Sequence, residues 1–212
     1  VLREKSPKRK FSQSIDLLIN LKNLDLKKPD HKIDLFLQLP NTLGKKRKIC
    51  AFVDAQLAAK AKDVCDTVIL KSDFEKWKNN KIEQRKLANS HDFFLSQVEV
   101  MAQAATTFGK VLGSRGKMPS PKAGCVIPGN IPNLEPIVKK LQNTVILQTK
   151  NELSVKTTVG SESMKDEEIA ENILSIYNNL VPKLPQEKNN IRYIAIKFTM
   201  GSLFKIGETK EK

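Results

Sequence analysis

The sequence predicts a two-domain α/β protein: a discontinuous split α/β domain with an antiparallel β-sheet, interrupted by an inserted Rossmann-like three-layer α/β domain. Three observations point there. Both ends of the chain carry the period-two alternation of half-buried strands, whereas the middle alternates short continuous apolar runs with helical patterns, as a parallel sheet covered on both faces requires. The length, 212 residues, exceeds the usual domain size of about 100–150 residues. The split domain is expected over residues 1–43 and 146–212, and the insert over 44–145, with two chain crossings acting as a hinge.

The first strand is read in FSQSIDLLINL, where Ile15, Leu17, Ile19 and Leu21 fall on one face. IDLFLQLP repeats the pattern through Ile33, Leu35, Leu37 and Leu39, and Pro40, Asn41 and Gly44 then supply turn chemistry. KICAFV is a short buried strand, followed by an alanine-rich helix that Asp54 can cap. DTVIL is another strand. SDFEKWKNNKIEQRKLANS reads as one helix begun at Ser72, HDFFL as a third strand of the insert, and SQVEVMAQAATTFGKVL as a further helix.

NLEPIVKKLQ is a helix begun at Asn133 with Pro136 in its first turn. VILQTKNELSVKTTVG reads as a hairpin turning at Lys150 to Glu152. SMKDEEIAENILSIYNNLV places Ile169, Ile173, Ile176 and Leu180 on one helical stripe, and RYIAIKFTMG is the final strand.

Charge narrows the function. Lys and Arg number 37 against 23 Asp and Glu, a net charge of +14 that favours a polyanionic partner. The insert is the more basic part, with 18 cationic and 9 anionic residues in 44–145. No apolar run approaches the roughly 18–20 residues of a membrane-spanning helix and no signal peptide opens the chain, so a cytosolic protein without a membrane partner is expected. Cys50, Cys65 and Cys125 suit neither a C-x-x-C site nor a disulfide framework.

No catalytic constellation emerges. GSRGKMPSPKAG carries Arg115, Lys117 and Lys122 among three glycines, but a Walker loop needs Gly where Val111 stands and Ser or Thr where Met118 stands. No G-x-G-x-x-G follows a strand, His31 and His91 are far apart, and Asp166, Glu167 and Glu168 suit the first turn of a helix. No cofactor is expected. An enzyme holding a nucleotide or small molecule on the doubly wound insert is the alternative class.

Nucleic-acid binding has more in its favour. PKRKF sets cations directly before Phe11 at the mouth of the first strand, where an aromatic can stack while cations meet phosphate. In FTMGS, Gly201 permits close approach and Thr199 offers a donor and an acceptor; a strand end with Met200 in the core is the competing reading.

KFSQSIDL near the start, LGSRGKMPSPKAG in the middle, and VKTTVG followed by TMG near the end, in a split-domain chain, resemble the ribosomal protein L-one family, in its archaeal-like form. The resemblance covers nearly the whole chain. It implies a non-enzymatic constituent of the large ribosomal subunit, cytoplasmic and monomeric when free of the ribosome, that binds ribosomal RNA of the mobile stalk and assists release of exit-site transfer RNA. Family members also bind a related structure in their own messenger RNA and repress translation.

Carried onto this chain, the RNA-binding positions are Lys10, Phe11, Ser14 and Asp16 on the first strand, Lys156 on a neighbouring one, and Thr199, Met200, Gly201 and Ser202 on the last. The first and last strands should then lie side by side. Ser202 stands where many relatives have Pro. Arg115, Lys117 and Lys122 form a secondary set that either touches RNA or shapes an interdomain loop.

Overall fold

The computed structural model describes residues 2–6, 9–28, 31–131, 133–149 and 151–207. Pro7 and Lys8 of the basic run, Asp30 and the expected turn residue Lys150 lie outside the described residues. The chain divides into two compact units, Val1–Lys45 with Asn143–Lys212, and Lys46–Gln142.

In the first unit, β1 (Ser14–Leu21) sits inside a four-stranded antiparallel sheet. Its neighbours are β8 (Ser154–Ser161) on one edge and β9 (Ile191–Phe198) on the other, and β10 (Phe204–Lys205) adds to β9. The alternation of β1 is realised: Ile15, Leu17, Ile19 and Leu21 are buried. They meet Val155, Val159 and Phe198 from the sheet and the stripe Ile169, Ile176 and Leu180 of α7 (Asp166–Leu180). Full burial of a residue such as Leu17 contributes about 1.5–3 kcal/mol, so this stripe supplies much of the unit's stability.

The stripe of α7 also carries a polar residue that apolar periodicity does not reveal. Asn172 is fully buried, its Oδ1 accepting from Asn41 N at 3.1 Å and its Nδ2 donating to the Val159 carbonyl at 2.9 Å. It ties the helix to β8 and to the turn after β2 (Asp34–Gln38). A short helix α1 (Leu2–Lys5) is held to the start of α7 by Arg3, which donates to Asp166 Oδ1 and to the Glu162 and Met164 carbonyls.

The expected hairpin does not form. β7 (Thr144–Gln148) pairs antiparallel with β2, and β8 pairs instead with β1. β8 gains a long ladder on β1 inside the four-stranded sheet, and β7 matches the apolar alternation of β2, Leu35 opposite Leu147 and Leu37 opposite Val145. Non-local pairing prevails over the short connection.

The second unit is built on a parallel sheet of order β4-β3-β5-β6. These strands are β3 (Ile49–Val53), β4 (Thr67–Leu70), β5 (Phe93–Gln97) and β6 (Val126–Ile127). All five residues of β3 are buried, as a central strand covered on both faces demands. Phe52 stacks on Phe94 and Phe108 at centroid separations of 5.7 and 4.8 Å and meets Phe74 edge-on at 5.8 Å.

The helices follow the strands. α2 (Ala55–Val64) is capped by Asp54, whose carboxylate accepts from Ala55 N at 2.8 Å. The single helix expected from Ser72 is broken: α3 (Phe74–Lys78) ends, and α4 (Lys81–Ser90) restarts on Asn80, whose side chain accepts from Glu83 N at 3.2 Å. Asn favours such a cap over a helix interior. α5 (Val98–Arg115) runs on into the glycine-rich stretch, so Gly113, Ser114 and Arg115 are helical. Gly116 ends it at φ 67°, a left-handed conformation that suits glycine. α6 (Glu135–Gln142) begins where Asn133 Oδ1 accepts from Glu135 N.

The three cysteines are buried and unpaired. Burial pushes their thiols up, those of Cys65 and Cys125 to about 11, which leaves them protonated and unreactive near neutrality.

Candidate nucleic-acid interface

The residues singled out at the two ends of the sequence meet at one corner of the antiparallel sheet. Antiparallel pairing sets Ile15 opposite Phe198 and Asp16 opposite Lys197, so the mouth of β1 lies beside the exit of β9. The side-by-side arrangement expected of the first and last strands is present. Thr199, Met200 and Gly201, however, lie beyond β9 in a tight turn, where Gly201 N donates to the Phe198 carbonyl at 2.8 Å.

Thr199 is the junction. Its backbone N–H donates to the Ser14 carbonyl at 3.0 Å, and its hydroxyl lies 3.1 Å from that carbonyl and 3.0 Å from Asp16 Oδ2. A hydroxyl has one proton, so these two acceptors compete for it and the outward part of Thr199 Oγ1 is its acceptor face. Thr158 Oγ1 on β8 donates to the other oxygen of Asp16 at 3.0 Å. Asp16 is therefore no isolated carboxylate facing a polyanion: one oxygen takes the hydroxyl of Thr158 on β8 and the other lies within reach of the Thr199 hydroxyl in the turn after β9.

Around this bracket the exposed groups are apolar and cationic. Phe11 is 57% exposed and Met200 63%, so Met200 does not belong to the core. Lys10 and Ser202 are exposed, and Ser14 is half-buried. A Cβ on Gly201 would lie 3.2 Å from that of Phe198, a tight contact to which Phe198 would have to yield by a few tenths of an ångström. Lys156 is exposed but held by Glu152 at 2.6 Å, and the Lys156 hydrogen bond and charge lower the Glu152 carboxyl below its ordinary range.

Lys197 is a cation that the motifs do not single out. Its Nζ donates to the Thr199 carbonyl at 3.3 Å and it lines, with Asp16, Leu18, Lys156 and Thr158, a hollow of about 410 Å³ on the outer sheet face. Periodicity does mark it, since period two in IRYIAIKF sets Tyr193, Ala195 and Lys197 opposite the face of Ile194, Ile196 and Phe198.

Arg115, Lys117 and Lys122 belong to the second unit and have separate roles there. Lys117 donates to the Ala88 and His91 carbonyls at 2.9 and 2.7 Å, closing the C-terminal end of α4, and burial lowers its pKa. Arg115 Nε donates to Asn89 Oδ1 at 3.1 Å. Of the three, Lys122 is the exposed one. His91 is buried and bonded through Nε2 to Thr67 Oγ1 and through Nδ1 to its own helix end. Among the described residues no group of three or more His, Cys, Asp or Glu could hold a metal ion.

The fold and this corner define a class: a split α/β protein that presents strand ends on an open surface. The chain belongs to the Ribosomal protein L1p/L10e family, whose model matches residues 2–202, a family of structural ribosomal proteins rather than enzymes. It is 38% identical over 211 residues to the large ribosomal subunit protein uL1 of Thermoplasma acidophilum, covering 100% of this chain and 94% of that one. The uL1 proteins of Methanothermobacter thermautotrophicus and Methanothermococcus thermolithotrophicus are 39% and 41% identical. Those matches cover 96% and 91% of this chain, and 94% and 88% of the relatives.

Proposed function

We propose that this chain is a structural constituent of the large ribosomal subunit, working in the cytoplasm, that binds ribosomal RNA of the mobile stalk through the corner where β1 meets β9. The observation that carries this is the bracket of Asp16 by Thr158 and Thr199, with Phe11 and Met200 exposed on the adjoining segments of chain, in a protein of a ribosomal family. The bracket holds the turn rigid, the carbonyl and hydroxyl oxygens can accept from 2′-hydroxyls, and the two exposed apolar side chains can stack or pack on bases. Such a surface reads RNA shape and a few edges, with affinity supplied by surrounding cations.

Carried on the stalk, the protein would assist release of exit-site transfer RNA. A segment of its own messenger RNA folded to the same shape would compete for the same corner, which makes self-repression a consequence of this reading. The test is titration of the full chain against the stalk RNA fragment, a scrambled hairpin and duplex DNA in matched salt. Preference for the stalk fragment is expected; equal affinity for all three would reduce the protein to a general polyanion binder.

A further inference from the structure

The helix α4 of the second unit buries Gln84, Leu87 and Ala88 and turns a different kind of surface outward. Ile82 is 67% exposed, and Arg85 and Lys86, three and four residues on, share its face, with Lys81 on the flank. None of the three cations makes an ion pair among the described residues. Their placement does not serve the helix either. Lys81 occupies the first turn, where the macrodipole disfavours positive charge, and the last turn carries no basic residue.

We propose that this face of α4 binds the sugar–phosphate backbone of duplex RNA, at a site separate from the strand-end corner of the other unit. Side chains three or four positions apart on a helix stand about 5–6 Å apart at Cβ, and long cationic ones can reach neighbouring phosphates while Ile82 rests on the sugars. An acidic protein partner fits less well. A stable protein interface buries about 800 Å² per side around an apolar, aromatic-rich centre, and here a single isoleucine stands among cations. The second unit, Lys46–Gln142, carries 17 Lys and Arg against 9 Asp and Glu, so its field favours approach of a polyanion.

The test uses the full chain, wild type and the triple variant Lys81→Gln, Arg85→Gln, Lys86→Gln, with a duplex RNA of about 16 base pairs and arbitrary sequence as probe. Anisotropy titrations run from about 50 to 200 mM salt. The variant is expected to bind about tenfold or more weakly at the low-salt end and to show a log–log salt slope shallower by about 2 to 3, near 1 for each phosphate no longer neutralised. Circular dichroism checks folding, and Arg85→Glu alone gives a smaller loss in the same direction. Unchanged affinity and slope overturn the proposal, as does polyglutamate competing as well as the duplex at equal charge.

Discussion

The Thr199 hydroxyl lies 3.0 Å from Asp16 Oδ2 across 183 positions of sequence, joining the turn after β9 to the first strand. The same carboxylate takes a hydroxyl from Thr158 at 3.0 Å, so β1, β8 and the turn after β9 are tied at one residue. Thr199→Val keeps the shape and removes the hydroxyl. The bond is exposed, so folding stability should fall by only about 0.5–1.5 kcal/mol. Affinity for the stalk RNA fragment should fall further, by about 1–3 kcal/mol, because the turn loses both its anchor and its outward acceptor. Equal affinity for wild type and variant would remove Thr199 from the interface.

Lys117 separates architecture from recognition. Its two bonds to the Ala88 and His91 carbonyls close the end of α4, and Lys117→Met leaves those carbonyls without the ammonium. Urea unfolding should show a loss of about 1–3 kcal/mol. RNA affinity, measured where both proteins are folded, should stay near wild type; a large drop in affinity at unchanged stability would return Lys117 to the RNA-binding set.

Asn172 is the buried polar pin of the first unit's core. Asn172→Leu strands the Asn41 N–H and the Val159 carbonyl in an apolar setting, and the expected cost is about 2–3 kcal/mol. Denaturant midpoints read it directly. A neutral result would mean that solvent reaches both groups.

Asp66 predicts an acid-limb effect in the second unit. Burial pushes its carboxyl up, but the Ile49 N–H bond and the Lys46 bond and charge together outweigh burial and set it below the ordinary 3.8. A depressed folded pKa stabilises above the unfolded value and loses that contribution as pH falls through the folded one. Asp66→Asn should therefore be less stable than wild type near neutrality, with the gap closing below pH 3.8. A gap independent of pH would show that the lost hydrogen-bond geometry, not the charge, carries the effect.

Much of the fold is legible along the chain because burial imposes a period. The alternation at β1 and the continuous run at β3 report one covered face and two, and Asp54, Asn80 and Asn133 are capping types at helix starts. The break at Asn80 is hard to read because helical polarity on both sides disguises a cap in mid-run. The β7–β8 pair mimics a hairpin because nearness in sequence competes with longer ladders elsewhere, and those partners are more than a hundred residues away.

The sequence by itself determined the two kinds of sheet, the covered face of each strand and the motifs that mark the family, since these depend on side-chain chemistry at fixed local spacing. Only the tertiary structure decided what the motif residues do. Strand pairing brought Asp16 to Thr199 and Thr158 and left Met200 outside the core, and packing within the second unit turned Lys117 inward onto two carbonyls at the end of α4. The physical reason is that a polar side chain takes its role from whichever donor or acceptor lies within about 3 Å, and that neighbour is set by non-local packing.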